Sequence, residues 1–191
     1  MTLRIAKLAA LALVPALAAA PLAAQGAGAR MDSTEFANWR GLARHDIGQL
    51  REKIMGLARA VPADKLGWRP MEGVRSFHDV FAHIAAEGNI EPVSFGRPLL
   101  PGSVAKFDAE EDRLRALPDA ELIPAMDRAL ENMANTIAGI EFSDVYKPMR
   151  FFGANTYPRG AVALGLYDLH EHLGQLVAYA RMNRIVPPWS K

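Results

Sequence analysis

The 191-residue chain carries 22 Lys+Arg, 21 Asp+Glu, five His and no Cys, and half of its residues are hydrophobic. That composition suits one globular domain with a short extra segment. It excludes a disulfide scaffold, a Cys-ligated metal, a CxxCH haem and a thiol nucleophile. A formal charge of +1 gives no strong pull toward nucleic acid or an acidic membrane.

Arg4 and Lys7 are the only charges before Arg30, and LAALALVPALAAAPLAAQGAGA lies between Lys7 and Arg30. A basic start, an apolar run and small residues predict a secretory signal over residues 1–24, cut after Ala24. The alternative is an uncleaved anchor. The apolar core from Leu8 to Ala24 is marginal for a bilayer, and Pro15 and Pro21 interrupt it. Cleavage would leave no stable membrane span, a flexible stretch over 25–32, and a periplasmic or secreted domain over 33–191. It would also leave 20 Lys+Arg against 21 Asp+Glu.

Helical patterns dominate the remainder, and alternating strand patterns are scarce. A first helix is expected over Ser33–Arg59, with Trp39, Leu42, Ile47, Leu50, Ile54 and Leu57 on its apolar side. VPADKLGWRP ends it. A second helix begins at Ser76, where Ser76 and Asp79 match a capping box. Phe77, Val80, Phe81 and Ile84 form its stripe, and Gly88-Asn89 is its expected end. EPVSFGRPLLPGS reads as a loop, followed by a short polar helix over Val104–Arg115. A third main helix starts after Pro118, with Asp119 as cap and an apolar period from Leu122 to Ile140. FSDVYKPMRFFGANTYPRG reads as a second loop with Phe151 and Phe152 turned inward. A last helix runs from Pro158 to Met182. The expected fold is all-α, a four-helix bundle with long inter-helix connections.

Two helices carry ligand-type residues at matching spacing. His83 and Glu87 are four apart, as are Asp168 and His172, so each pair shares one side of its helix. Facing pairs can offer two imidazoles and two carboxylates to a divalent metal in the bundle core, and Zn, Ni, Fe and Mn all accept such a set. The plainer alternative is a buried histidine with a backbone partner and a solvent-edge carboxylate. Glu87 is either a ligand or a group that orients water or takes a substrate proton. Gln175 either lines the same cleft or packs. His170 falls on another side of its helix from His172, His78 is a poor angular match to His83, and His45 is a candidate lining residue.

The strings LGWRPMEGVRSFHDVFAHIAAEGN and LYDLHEHLGQLVAYARMNRIVPPW resemble the DinB-like (damage-inducible-protein-like) superfamily of four-helix proteins. The first is similar to that family's W-x-P-x-x-G-x-R-S pattern leading to a metal-binding histidine, here His83. The second is similar to its terminal helix, in which an H-x-x-x-H pair precedes G-Q-L. The second histidine matches His172, and the first position is Asp168 in this chain. The resemblance implies an inward metal centre built from His83, Asp168 and His172, with Asp168 departing from a three-histidine set. It implies a metal-dependent enzyme of hydrolase or thiol S-transferase type acting on a small molecule; on that reading Glu87 or Gln175, the catalytic candidates, positions the activated water, thiol or electrophile. With the long first helix, it also suggests a homodimer. The competing reading is a non-catalytic helical binding or stress-associated protein in which the His/Asp cluster is only a polar network.

Overall fold

The computed structural model describes residues 30–190. The predicted signal at 1–24 and most of the adjoining 25–32 stretch lie outside the described residues. Five helices form the domain: α1 (Ser33–Ala60), α2 (Phe77–Ile90), α3 (Phe107–Arg115), α4 (Asp119–Ala138) and α5 (Pro158–Met182). The long helices α1, α2, α4 and α5 form the expected four-helix bundle. Around it, α1 packs on α4 and α5, and α2 packs on the same two from the other side, while α3 lies against α2. Among the described residues, no helix is long and apolar enough to cross a membrane.

The core follows from the apolar periods. Ile47, Leu50, Ile54 and Leu57 of α1, Phe77, Phe81 and Ile84 of α2, Leu122, Met126 and Leu130 of α4 and Leu169 of α5 make up the core, all of them fully buried. The exception on α1 is Leu42, which is 72 % exposed. Its place in the stripe rested on an interval of three from Trp39, but the buried line runs through Phe36, Ala43 and Ile47 instead.

Helix α2 starts where its capping box predicts. The Asp79 backbone N–H donates to Ser76 Oγ at 3.1 Å, and the Ser76 N–H donates to Asp79 Oδ2 at 2.8 Å. It does not stop at Gly88-Asn89. It continues to Ile90 and runs into a 3₁₀ turn over Glu91–Phe95, which closes at Gly96 with φ +79°. Gly88 serves packing rather than termination: a Cβ there would lie 2.6 Å from the carbonyl carbon and oxygen of Ala129 on α4. Asn89 points to α3, donating to Glu110 at 2.7 Å. Glu110 is fully buried and also accepts from the Val104 N–H and from Arg113. This carboxylate fastens α3 to α2, and so fixes where the next residue, Glu111, stands.

Asp119 is the first residue of α4 rather than its cap; Pro118 holds the cap position. The Asp119 carboxylate instead pairs with His78. The second predicted loop contains a small antiparallel hairpin, β1 (Met149–Phe151) with β2 (Ala154–Thr156). Its two-residue turn places Phe152 and Gly153 at φ +48° and +75°, the left-handed pair that a tight hairpin needs. Phe-Gly is an unusual filling for that turn, which Asn-Gly or Asp-Gly more commonly occupies. Phe151 is buried as expected, whereas Phe152, at the tip, is 57 % exposed.

Candidate metal centre

The site lies where α2 faces α5. His83 and Glu87 project from consecutive turns of α2, and Asp168 and His172 from consecutive turns of α5. The imidazoles meet edge to face, with ring centroids 4.8 Å apart. Both aim Nε2 at one oxygen: Glu87 Oε1 is 3.1 Å from His83 Nε2 and 3.2 Å from His172 Nε2. Glu87 is only 1 % exposed, and His172 is buried. Asp168 lies further out, its Oδ1 3.7 Å from His172 Nε2.

The surroundings hold the imidazoles in place. His83 Nδ1 accepts from Arg75 Nη2 at 3.0 Å and lies 3.2 Å from Glu111 Oε2, and the Phe107 ring packs edge-on against His83. With a cation at Nε2, the Nδ1 position must carry the proton, and Glu111 is then the nearby acceptor that orients the ring. Arg75 also faces Glu111, and Arg115 pairs with Glu111 as well. The W-x-P-x-x-G-x-R-S stretch delivers Arg75 to this point. Trp68 packs on Phe77 and Tyr179, Gly73 turns the chain at φ +79°, and Ser76 caps α2. The Tyr179 hydroxyl donates to the Arg75 carbonyl at 3.0 Å and accepts from Gln175 Nε2 at 2.8 Å. Gln175 is thereby engaged in positioning Tyr179 and Arg75.

Burial and charge set the protonation of the cluster. Burial opposes the charge on Glu87, but hydrogen bonds from His172 and His83, with Asp168 adjacent, outweigh it and hold the carboxyl at about 2. Asp168 is pushed up to about 6 by burial and by the Glu87 carboxylate beside it. Burial lowers the His172 pKa, yet Glu87 and Asp168 raise it above the ordinary value. Glu91, at the start of the 3₁₀ turn that continues α2, is driven well above the carboxylate range by burial and by the charges of Glu87 and Asp168. In the metal-free protein, protons thus perform the neutralisation that a cation would perform.

The donor set fits a divalent cation. Ligand atoms of His83, Glu87 and His172 all lie within 4.8 Å of one another. Metal–ligand bonds of 2.0–2.2 Å require ligand–ligand separations of about 2.8–3.6 Å, which brackets both distances from Glu87 Oε1. The second Glu87 oxygen is buried and meets no hydrogen-bond donor. Two imidazole nitrogens and a carboxylate suit Zn, Ni, Fe or Mn.

The remaining histidines stand apart. His78 pairs with Asp119 and with the Arg115 carbonyl, His170 is exposed and pairs with Asp46 at 3.0 Å, and His45 is exposed on α1. Spacing brought His83, Glu87, Asp168 and His172 to notice. Arg75, Glu111 and Glu91 escaped it. Arg75 and Glu111 reach His83 through tertiary contacts. Glu91 is four residues beyond Glu87, but it opens a Pro- and Gly-containing stretch that reads as a loop.

A four-helix bundle with an inward His/carboxylate cluster between its second and last helices defines a candidate metalloprotein class. The family model of the DinB superfamily matches residues 47–176, and the chain belongs to that superfamily. No curated protein matches it.

The shifted groups predict a pH dependence for the metal-free protein. Glu87, lowered from 4.5 to about 2, contributes stability above pH 4.5 that is lost as the pH falls through 2. Asp168, raised from 3.8 to about 6, contributes fully below 3.8 and loses that contribution as the pH rises through 6. The raised His172 pKa acts in the same sense, contributing below 6.5 and fading above it. Melting temperature should therefore fall from about pH 5 to about pH 8 in chelator-treated protein. Asp168→Asn should flatten the acidic part of that fall, and parallel curves for the two proteins would rule this assignment out.

Proposed function

We propose that this chain is a divalent-metal-dependent enzyme acting on a small molecule in the periplasm, of hydrolase or thiol S-transferase type. The observation that carries the reading is the convergence of two imidazole Nε2 atoms on one buried Glu87 oxygen, at separations suited to shared coordination. Export is supported by the basic and apolar character of residues 1–24. His83, Glu87 and His172 would hold the cation. When bound, it lowers the pKa of a coordinated water or thiol, or polarises an electrophile. Glu111, paired with Arg75 and Arg115, would orient the His83 ring, and Gln175 and Tyr179 hold the Arg75 backbone. Asp168 has the most exposed side chain of the four cluster residues, so substrate approaches past it. Hydrolysis suits an exported chain better than thiol transfer, because water needs no cytosolic thiol pool.

Untagged protein loaded with Zn, Ni, Fe or Mn should be assayed against activated esters, amides and phosphoesters, and with a small thiol plus an electrophile. The proposal expects turnover in one of these groups that chelator abolishes and metal restores. Tight metal binding without metal-dependent turnover would favour the non-catalytic binding protein.

A further inference from the structure

The His83–Glu87 pair is part of a longer ladder. Helix α2 passes directly into its 3₁₀ turn, so His83, Glu87 and Glu91 stand four residues apart along one continuous face. Opposite them, α5 presents Asp168 and His172. Ligand oxygens of Glu87, Glu91 and Asp168 form a second group whose members all lie within 4.8 Å of one another.

Carboxylates close together are not in themselves a site, but two further observations bear on this group. Glu87 Oε2 and Glu91 Oε1 are both buried and meet no hydrogen-bond donor, with Glu87 1 % and Glu91 7 % exposed. Buried acceptors without donors are costly unless a proton or a cation partners them. The position facing Glu91 on α5 is Gly165, where a Cβ would lie 2.8 Å from Glu91 Oε2. A glycine at that point leaves room for the carboxylate to lie between the helices. Behind it the wall is apolar, formed by Phe95, Phe151, Val162 and Leu166.

We propose that the bundle binds two divalent cations, the second held by Glu87, Glu91 and Asp168, with Glu87 shared between the two. This rests on the metal reading of His83, Glu87 and His172. Glu87 offers Oε1 toward the imidazoles and leaves Oε2 for the second ion. The two sets differ in character. The first has two nitrogens and one oxygen and suits a borderline cation. The second is all oxygen and suits a hard cation such as Mn²⁺. Two dications against three carboxylates leave one positive charge, which favours a hydroxide or an anionic oxygen of a substrate. An all-oxygen site for a hard cation favours oxygen over sulfur ligands, which points to hydrolysis rather than to thiol transfer.

Mn²⁺ titration of untagged, chelator-treated protein, with bound metal counted after desalting and the EPR spectrum recorded, tests this. The wild-type chain should retain two equivalents and show an exchange-coupled spectrum. Glu91→Gln, a neutral replacement of the same shape, should retain one equivalent with the six-line spectrum of an isolated ion. Asp168→Asn gives the same readout on α5 should Glu91→Gln fail to fold. One equivalent in wild type and variants alike overturns the second site and leaves the first intact. Two equivalents in all three chains places the second ion elsewhere and also overturns it. No retained metal in the wild type overturns both readings.

Discussion

His172→Ala should reduce divalent-cation affinity by more than about 100-fold, beyond the 10- to 100-fold typical of losing an outer-sphere partner. The substitution removes one of the two nitrogens directed at Glu87 Oε1. The neighbouring His170 does not replace it, because that side chain is exposed and paired with Asp46. In the metal-free state the same change removes a donor to a buried carboxylate and should cost about 1–3 kcal/mol of stability. Gln175→Ala removes a neighbour of His172 and the hydrogen bond to Tyr179 but no ligand atom, and should cost less in affinity. Titration calorimetry of the three proteins separates these outcomes. Equal affinity in wild type and His172→Ala would remove His172 from the centre.

Gly88→Ala should destabilise the domain by about 2–3 kcal/mol, although alanine is intrinsically the better helix residue by about 1 kcal/mol. The added methyl would meet Ala129 backbone atoms at 2.6 Å, and backbone cannot swing aside as a side-chain tip can. Helices α2 and α4 would have to separate, stretching the 3.1 Å hydrogen bond from Asn132 to the Gly88 carbonyl. For a domain of this size the melting temperature should drop by roughly 4–12 °C. Gly48→Ala on α1 is the control. Nothing lies within 4 Å of its added Cβ, so the helix-propensity gain should appear as a small rise in melting temperature. Because Glu87 precedes Gly88, spreading α2 from α4 should also weaken metal binding. A melting temperature for Gly88→Ala at or above wild type contradicts this account of α2 packing.

Much of the bundle was readable from periodicity and capping. The Ser76/Asp79 box starts α2, and the apolar period of the last helix matches its buried side from Val162 to Ala180. What was not readable depended on tertiary placement. Gly88 has the look of a helix stop, and only the nearness of Ala129 shows it to be a packing glycine. Leu42 fits a helical interval as well as its neighbours do, but the bundle does not cover it. In the site, i,i+4 spacing put His83 with Glu87 and Asp168 with His172. It carried no information on depth, and depth decides which carboxylate lies between the imidazoles. The structure places Glu87 there and sets Asp168 beside Glu87 and Glu91. Glu111 reaches His83 only because buried Glu110 docks α3 on α2, a contact without a local sequence signature.

Anomalous diffraction from crystals of the metal-loaded protein, recorded on both sides of the metal's absorption edge, tests the central claim most directly. The account predicts an ion between α2 and α5 within about 2.0–2.3 Å of His83 Nε2, His172 Nε2 and a Glu87 oxygen. Anomalous density elsewhere, with both imidazoles still paired to Glu87, would contradict it.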